Sequence, residues 1–163
     1  MIPILRLDRQ AIEARVPHAG PMCLLEQVIA WDEHRIECLG AGFAAGNDVH
    51  PLSRDGRLPS TAAIEYAAQA MALHGRLVQE FLTPAAGRQA EAPRRGFLAG
   101  LRSVQLHCRW IDCTGPVLTI RVERFAGDEV QVLYDFEVGA ADLIAQGRAV
   151  VVLDAGARGG RMS

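Results

Sequence analysis

The feature that most limits the fold of this chain is one long helix-forming segment, residues 61–82, placed between runs that carry the period of β-strands. Six alanines lie among its larger apolar residues, and polar residues become frequent only after His74. A helix that is apolar on most of its sides has to be enclosed by other elements. Ser60 and Thr61 stand at its start, and a hydroxyl at the N-cap can accept a bond from a first-turn N–H.

The segments on both sides of this helix predict an antiparallel sheet. The predicted strands are residues 23–31, 35–43, 104–110, 118–123, 130–138 and 143–153, where apolar runs or a period of two appear. Residues 9–15 predict a short helix, and residues 83–95, rich in Ala, Pro and Gly, predict a surface connection. This order favours an α+β fold in which an antiparallel sheet wraps around one central helix.

Size and composition narrow the class of protein. The 163 residues fit a single domain spanning 1–163, and we expect residues 1–9 and 155–163 to be peripheral or flexible. The net charge of -2 comes from 17 basic and 19 acidic residues, which argues against a nucleic-acid partner. No apolar run is long enough for a signal peptide or a membrane span, so we expect a cytoplasmic protein with no membrane partner.

Some chemistries are excluded or disfavoured by residue type. All basic residues are arginine, which rules out a Schiff-base lysine and a P-loop lysine. The four cysteines form no C-x-x-C pair, and the five histidines are dispersed without ligand spacing. We therefore expect reduced cysteines and no metal site. His34 and His107 are expected to be solvated.

Two ionisable residues predict a catalytic pair. Glu65 lies among alanines on the enclosed half of the helix, where a charged side chain is rare unless it is paired or used chemically. His50 precedes it in a turn-rich loop, and imidazole suits proton transfer near neutral pH. Burial of a carboxyl raises its pKa, which suits a general acid.

Three segments resemble a known family. LPSTAAIEYAAQ, residues 58–69, is similar to the MPGVLIxEALAQ helix start of the 3-hydroxyacyl-acyl-carrier-protein dehydratases, which have the hotdog fold. VPHAGPMCLLEQV resembles that family's PHRxPxLLxDRV segment, and GFLAGLRSVQLHCRW resembles its FLAGIxxxxFxRxV strand. The resemblance runs from about residue 10 to 153, and its altered loop resembles the branch associated with aryl-polyene and xanthomonadin-type pigments.

The resemblance implies a reaction and a role for each residue. His50 matches the base that removes the α-proton of a 3-hydroxyacyl thioester, and Glu65 matches the acid that protonates the leaving hydroxyl, giving a trans-2-enoyl thioester. Ser60 matches the glycine whose N–H faces the thioester oxygen, and Gln69 matches a supporting glutamine. His18 is a rival base, although the matching histidine of the family has a structural role.

The resemblance also implies partners. The substrate arrives on acyl carrier protein or coenzyme A, so that phosphopantetheine comes with it and no resident cofactor is expected. A homodimer, or a higher assembly of dimers, is implied, because the histidine of one subunit meets the acid of the other; a heterodimer with another hotdog protein is the alternative. Four arginines, Arg54, Arg57, Arg94 and Arg95, are candidates for the phosphopantetheine phosphate or an acidic carrier protein.

Departures from the family pattern keep two other functions open. HPLS replaces the family's HFPG, the interval of 15 residues from His50 to Glu65 is one longer than usual, and serine replaces glycine at position 60. A hotdog thioesterase would use the helix carboxylate to direct water at the thioester carbonyl. A non-catalytic hotdog subunit would support a second dehydratase.

Overall fold

The structure is a computed structural model that describes residues 6–43, 50–82, 94–111 and 117–154. The helices are α1 (Arg9–Glu13) and α2 (Ala62–Phe81), with a short 3₁₀ helix at Gly20–Met22. The strands are β1 (Leu7–Asp8), β2 (Leu25–Trp31), β3 (Arg35–Ala41), β4 (Gly96–Leu106), β5 (Val117–Gly127), β6 (Gln131–Gly139) and β7 (Leu143–Leu153). Most of the connection predicted over residues 83–95, and the predicted tail 155–163, fall outside the described residues.

The strands form one seven-stranded antiparallel sheet in the order β1-β2-β3-β5-β6-β7-β4, and α2 packs against it. The predicted α+β hotdog architecture is confirmed. Alternate residues of β5 and β6 turn inward, so that Leu118, Ile120, Phe136 and Val138 are buried with the apolar side of the helix. The sheet thereby encloses the alanine-rich first half of α2, because small side chains permit close approach.

The start of α2 differs from the predicted hydroxyl cap. Thr61 already has helical backbone angles, with φ -60° and ψ -23°, and its side chain makes no capping bond. The amides of Ala62 and Ala63 instead donate to the carbonyls of Pro59 and Ser60, each at 3.0 Å. A tight turn therefore satisfies these first-turn donors without a side chain.

The end of β4 also differs from prediction. Alternation to Trp110 suggested a strand over 104–110, but the strand spans 96–106 and the chain then turns toward the start of α2. Pro59 and Trp110 form an isolated antiparallel bridge, and the Ile111 N–H donates to the Leu58 carbonyl at 2.8 Å. This bridge fixes the helix start against the end of the sheet.

The two edges of the sheet are unlike. β1 has two residues and lies in the segment predicted to be peripheral or flexible. β4 has eleven residues and, among the described strands, pairs only with β7. Nearly every residue of β4 is exposed, including Phe97, Leu98, Leu101 and Leu106. An exposed, long and apolar edge strand is a template for pairing with another chain.

Candidate active site

An open cleft of about 350 Å³ lies at the N-terminal end of α2. Thr61, Ala62 and Glu65 form its helical wall, and Leu52 and Arg54 come from the loop after His50. Trp110 closes a third side and is held there by its bridge to Pro59. The cleft therefore brings the predicted acid, the predicted loop and the end of the sheet together within one chain.

Glu65 is fixed by a buried glutamine one turn further along the helix. Gln69 Nε2 donates to Glu65 Oε1 at 3.2 Å and to the Met22 carbonyl at 2.8 Å, while Gln69 Oε1 accepts the Leu24 N–H at 2.9 Å. Because the backbone at residues 22–24 determines the orientation of the amide, it also determines which atom faces Glu65. The Glu65 side chain keeps 37% of its surface exposed, so it is less enclosed than its sequence neighbours suggested.

His18 also faces Glu65. Its Nε2 lies 3.4 Å from Glu65 Oε1, the same oxygen that Gln69 contacts. Arg9 supports the segment that carries His18, since its guanidinium donates to the carbonyls of Gly20 at 2.8 Å and Cys23 at 3.0 Å and pairs with Glu26. The rival histidine of the sequence analysis is thus the one that the described chain places beside the carboxyl.

His50 contacts Tyr66 and its own loop. The Leu52 N–H donates to Nδ1 at 3.1 Å, and Nε2 lies 2.8 Å from the Tyr66 hydroxyl, which itself donates to the Ala41 carbonyl at 2.6 Å. Since the single phenolic proton goes to Ala41, Tyr66 must accept from His50, and the neutral ring carries its proton on Nε2. Burial lowers the pKa of His50 and raises that of Tyr66.

The loop sequence HPLS explains how this geometry forms without the family's HFPG. The Ser53 N–H and hydroxyl both donate to the His50 carbonyl, at 3.0 and 2.8 Å, and close a turn around Pro51. His50 is thereby held with its ring against the core side of α2. In the described chain His50 and Glu65 have separate partners, so the cross-subunit pairing implied by the resemblance remains a prediction.

The oxyanion role of Ser60 stays a prediction, and the structure shows which partner its N–H has within the chain. Ser60 is buried and its N–H donates to the Arg109 carbonyl at 3.0 Å, so that this donor is already used within the chain. The reason is the bridge between Pro59 and Trp110, which aligns the two backbones as neighbouring strands. Thr61, which is exposed and lines the cleft, is the hydroxyl residue available at this end of the helix.

The predicted arginines separate into two groups. Arg54 and Arg57 flank a two-residue turn, with Asp55 at φ 51° and Gly56 at φ 70°, and exchange backbone bonds of 2.7 and 3.0 Å. Arg54 lines the cleft, and the Arg57 guanidinium carbon lies 4.4 Å from the centre of the Trp110 ring.

Arg94 and Arg95 lie elsewhere, at the start of β4. The Arg94 guanidinium donates to the Glu129 carbonyl at 2.9 Å, and the Arg95 carbonyl accepts the Asp154 N–H at 2.8 Å. An eleven-residue strand separates them from the end of the sheet that closes the cleft. They therefore do not join Arg54 and Glu65 within one chain.

Sequence reasoning missed three contributors to this site: Tyr66, Arg9 and Trp110. A buried tyrosine needs a partner for its hydroxyl, so a tyrosine next to Glu65 on an enclosed helix was a usable signal. Asp55-Gly56 is likewise a signal for a two-residue turn. No sequence pattern indicates the hydrogen bonds of Arg9 to the Gly20 and Cys23 carbonyls. Within the described ranges no group of three or more His, Cys, Asp or Glu side chains could hold a metal ion.

A model of the ApeP dehydratase family matches residues 10–156 of the chain. The chain belongs to the ApeP-like dehydratase family. A chain of the dehydratase heterocomplex ApeI:P from Xenorhabdus doucetiae is similar at 26% identity, covering 88% of this chain and 90% of that chain with a TM-score of 0.71. The predicted relation to hotdog dehydratases is confirmed, and the ApeP-like family agrees with the aryl-polyene branch.

Thioesterases share the fold at lower identity. A thioesterase from Haemophilus influenzae is 10% identical, with 91% of each chain covered and a TM-score of 0.59. A mutant thioesterase from Pseudomonas aeruginosa is 9% identical, with 90% of this chain and 94% of that chain covered and a TM-score of 0.59.

No curated protein sequence matches the chain significantly. None of the helices in the described ranges has the length and hydropathy needed to cross a membrane.

Proposed function

We propose that this chain, with a second hotdog chain, dehydrates a 3-hydroxyacyl thioester on acyl carrier protein to a trans-2-enoyl thioester in aryl-polyene-type biosynthesis. The observation that carries the proposal is the placement of Glu65. In a member of an ApeP-like dehydratase family, this carboxyl lines the cleft while Gln69 fixes one of its oxygens at 3.2 Å. Coenzyme A is the alternative carrier of the same acyl group.

Dehydration needs an acid and a base. His50 takes the α-proton, the electron pair of that C–H bond forms the double bond, and Glu65 gives its proton to the departing hydroxyl, which leaves as water. With the Ser60 N–H engaged, Thr61 and Arg54 are the donors in the cleft for the thioester oxygen as it gains charge. Phosphopantetheine supplies only the thioester link and arrives with the substrate.

His50 needs a change of partners before it can act as a base. Its Nδ1 lone pair accepts the Leu52 N–H and its Nε2 proton goes to Tyr66, so the bonded ring offers no lone pair to a substrate. We infer that formation of the complete site, by substrate or by the second chain, exchanges these bonds. If His50 stays bonded in this way, the chain itself is not catalytic and supports a catalytic partner. This is the alternative function of a non-catalytic subunit.

The edge strand β4 is the surface proposed for the second hotdog chain. Its outer backbone edge pairs with no other described strand, and this edge and the exposed Phe97, Leu98 and Leu101 favour strand addition. The similar Xenorhabdus chain belongs to a heterocomplex, which supports an unlike hotdog chain as the partner at β4; a second copy of this chain is the alternative partner.

Leu98→Arg is expected to dissociate the complex. Val130→Arg, in an exposed turn, is the matched control and is expected to leave the complex intact. Light scattering after size exclusion measures the mass of the complex for both variants.

The dehydration proposal is tested by two variants of the purified complex. Glu65→Gln keeps the shape of the side chain and is expected to abolish turnover, as is His50→Ala, while Glu33→Gln, at an exposed turn, is expected to retain it. The assay is the intact mass of the carrier protein, which falls by one water per turnover. Full activity in Glu65→Gln would reject the assignment and would favour a supporting role for this chain.

A thioesterase role has one specific observation in its favour. Glu65 Oε1 accepts a hydrogen bond and its side chain is partly exposed, which suits a carboxylate that directs water as well as it suits an acid. The product distinguishes the two reactions, because hydrolysis releases a free thiol and dehydration produces an enoyl thioester that absorbs ultraviolet light. We expect the enoyl product.

A further inference from the structure

We propose that His18 is a positioning residue for Glu65: its Nε2–H holds one carboxyl oxygen and leaves the other for the substrate. The inference rests on the proposed role of Glu65. Both observed contacts fall on Oε1, from Gln69 Nε2 at 3.2 Å and from His18 Nε2 at 3.4 Å. Oε2 is the oxygen that neither residue contacts, which makes it the one that exchanges a proton in the cleft.

The environment of the His18 ring indicates where its proton lies. Nδ1 is buried and, in the part of the chain that the structure describes, has no hydrogen-bond partner. A buried N–H without an acceptor costs more than a good hydrogen bond contributes, so the proton belongs on Nε2, opposite Glu65. His18 therefore faces Glu65 with a donor that orients the carboxyl, and this role differs from that of a rival base to His50.

The segment around His18 is built to hold a side chain in place. Pro17 and Pro21 restrict the backbone on both sides, and Gly20 has the left-handed φ of 59°. The two guanidinium bonds of Arg9 to the carbonyls of Gly20 and Cys23 tie this turn to α1. Gln69 approaches Glu65 from the same helix, and His18 approaches from a separate segment. The two donors together fix the carboxyl in two directions.

The kinetic test uses two substitutions that differ only in the donor. His18→Leu removes the N–H at similar size and is expected to lower kcat about 10- to 100-fold with little change in KM, since misplacing a reacting group by about 1 Å can cost about 100-fold in rate. His18→Gln returns an amide N–H near the position of Nε2 and is expected to recover most of kcat. His34→Leu is the matched control, because His34 makes a similar contact of 3.0 Å to Glu33 at the exposed surface.

Coupling separates positioning from a structural effect. In a Glu65→Asp background, which keeps a carboxyl but withdraws it from His18 by one methylene, His18→Leu is expected to cause a much smaller further loss of turnover, because the contact is already broken. Independent losses in the double variant, or failure of His18→Gln to restore kcat in a protein with native unfolding behaviour, would overturn the inference.

A spectroscopic measurement keeps the inference distinct from the proposed function. The ¹⁵N resonances of the His18 ring are expected to show a proton on Nε2, and the Nε2 resonance is expected to move in Glu65→Ala. A ring protonated at Nδ1 would refute the proposal whatever the kinetics. If Glu65→Gln stays fully active while the His18 resonances behave as expected, the dehydration mechanism fails and the contact between His18 and Glu65 stands.

Discussion

Gln69 is the residue whose loss should connect stability and activity most directly. Its amide makes three hydrogen bonds, to the Leu24 N–H, the Met22 carbonyl and Glu65, and its own side chain is almost completely buried. Gln69→Leu keeps the volume and removes all three. We expect both a less stable fold and a less active site from this one change.

The expected magnitude follows from which groups stay without a partner. The Leu24 N–H is left buried, a penalty of about 1–3 kcal/mol, whereas the exposed Met22 can bond to water, so its carbonyl loses only about 0.5–1.5 kcal/mol. The free energy of unfolding should therefore fall by about 2–4 kcal/mol, which lowers Tm by roughly 5–15 °C for a chain of this size.

Urea unfolding followed by circular dichroism measures the loss, and turnover of the folded variant should also fall because Glu65 loses its donor. Gln105→Leu is the matched control: that glutamine is exposed and bonds only to Gln146 at the surface, so a change within about 0.5 kcal/mol is expected. A loss as small as the control's would show that the Gln69 amide does not hold the helix to residues 22–24, and the account of how Glu65 is fixed would fail with it.

Two further predictions concern the core behind the site. Burial lowers the pKa of His74, whose ring bonds to the Tyr134 hydroxyl at 3.0 Å and the Asp32 carbonyl at 2.9 Å, and burial also lowers the pKa of His50. As pH falls, the unfolded state takes up protons before the folded state does. The stability present above pH ~6.5 should therefore be lost below that pH, by up to about 1.4 kcal/mol per pH unit for each histidine, and His74→Gln should reduce this slope. A free energy of unfolding that stays constant as pH falls below about 6.5 would contradict the prediction. Gly40→Ala would place a Cβ 2.8 Å from the buried Tyr66 ring, so we expect a loss of about 1–3 kcal/mol and a displaced His50, whereas Gly100→Ala, with open space around it, should be neutral in the same thermal unfolding assay.

The elements of the fold were predictable because their signals are local. The last strand spans residues 143–153 as its apolar run predicts, and α2 spans 62–81 against a predicted 61–82. β4 was harder, since an edge strand that is exposed on both faces does not need alternation to bury one of them. The chain leaves β4 before Trp110 because Trp110 pairs with Pro59, which lies 51 residues earlier in the sequence. No local period in the sequence indicates this pairing.

The site was predictable only where its contacts follow helical spacing. Gln69 lies four residues after Glu65, so their contact follows from the helix itself. The contact between His18 and Glu65 spans 47 residues of sequence and depends on the turn that Arg9 clamps. The Ser60 N–H was assigned by position in a motif, and a carbonyl from another segment occupies it. Motif position predicts which residue is present, whereas non-local backbone pairing decides which of its atoms are available.

Glu65 and Tyr66 are neighbours on α2, and about 100° of helical rotation between them separates two hydrogen-bond systems. Glu65 lines the cleft and contacts the imidazole of His18, while Tyr66 faces the core and contacts the imidazole of His50. His50 donates through Nε2 and accepts the Leu52 N–H at Nδ1, so it is not a free base in the chain by itself. In the proposed mechanism, proton abstraction by His50 therefore requires an event that replaces its bond to Tyr66. The open edge of β4 and the similarity to a heterocomplex make assembly with a second hotdog chain the first event to examine, because activation would then be confined to the complete complex.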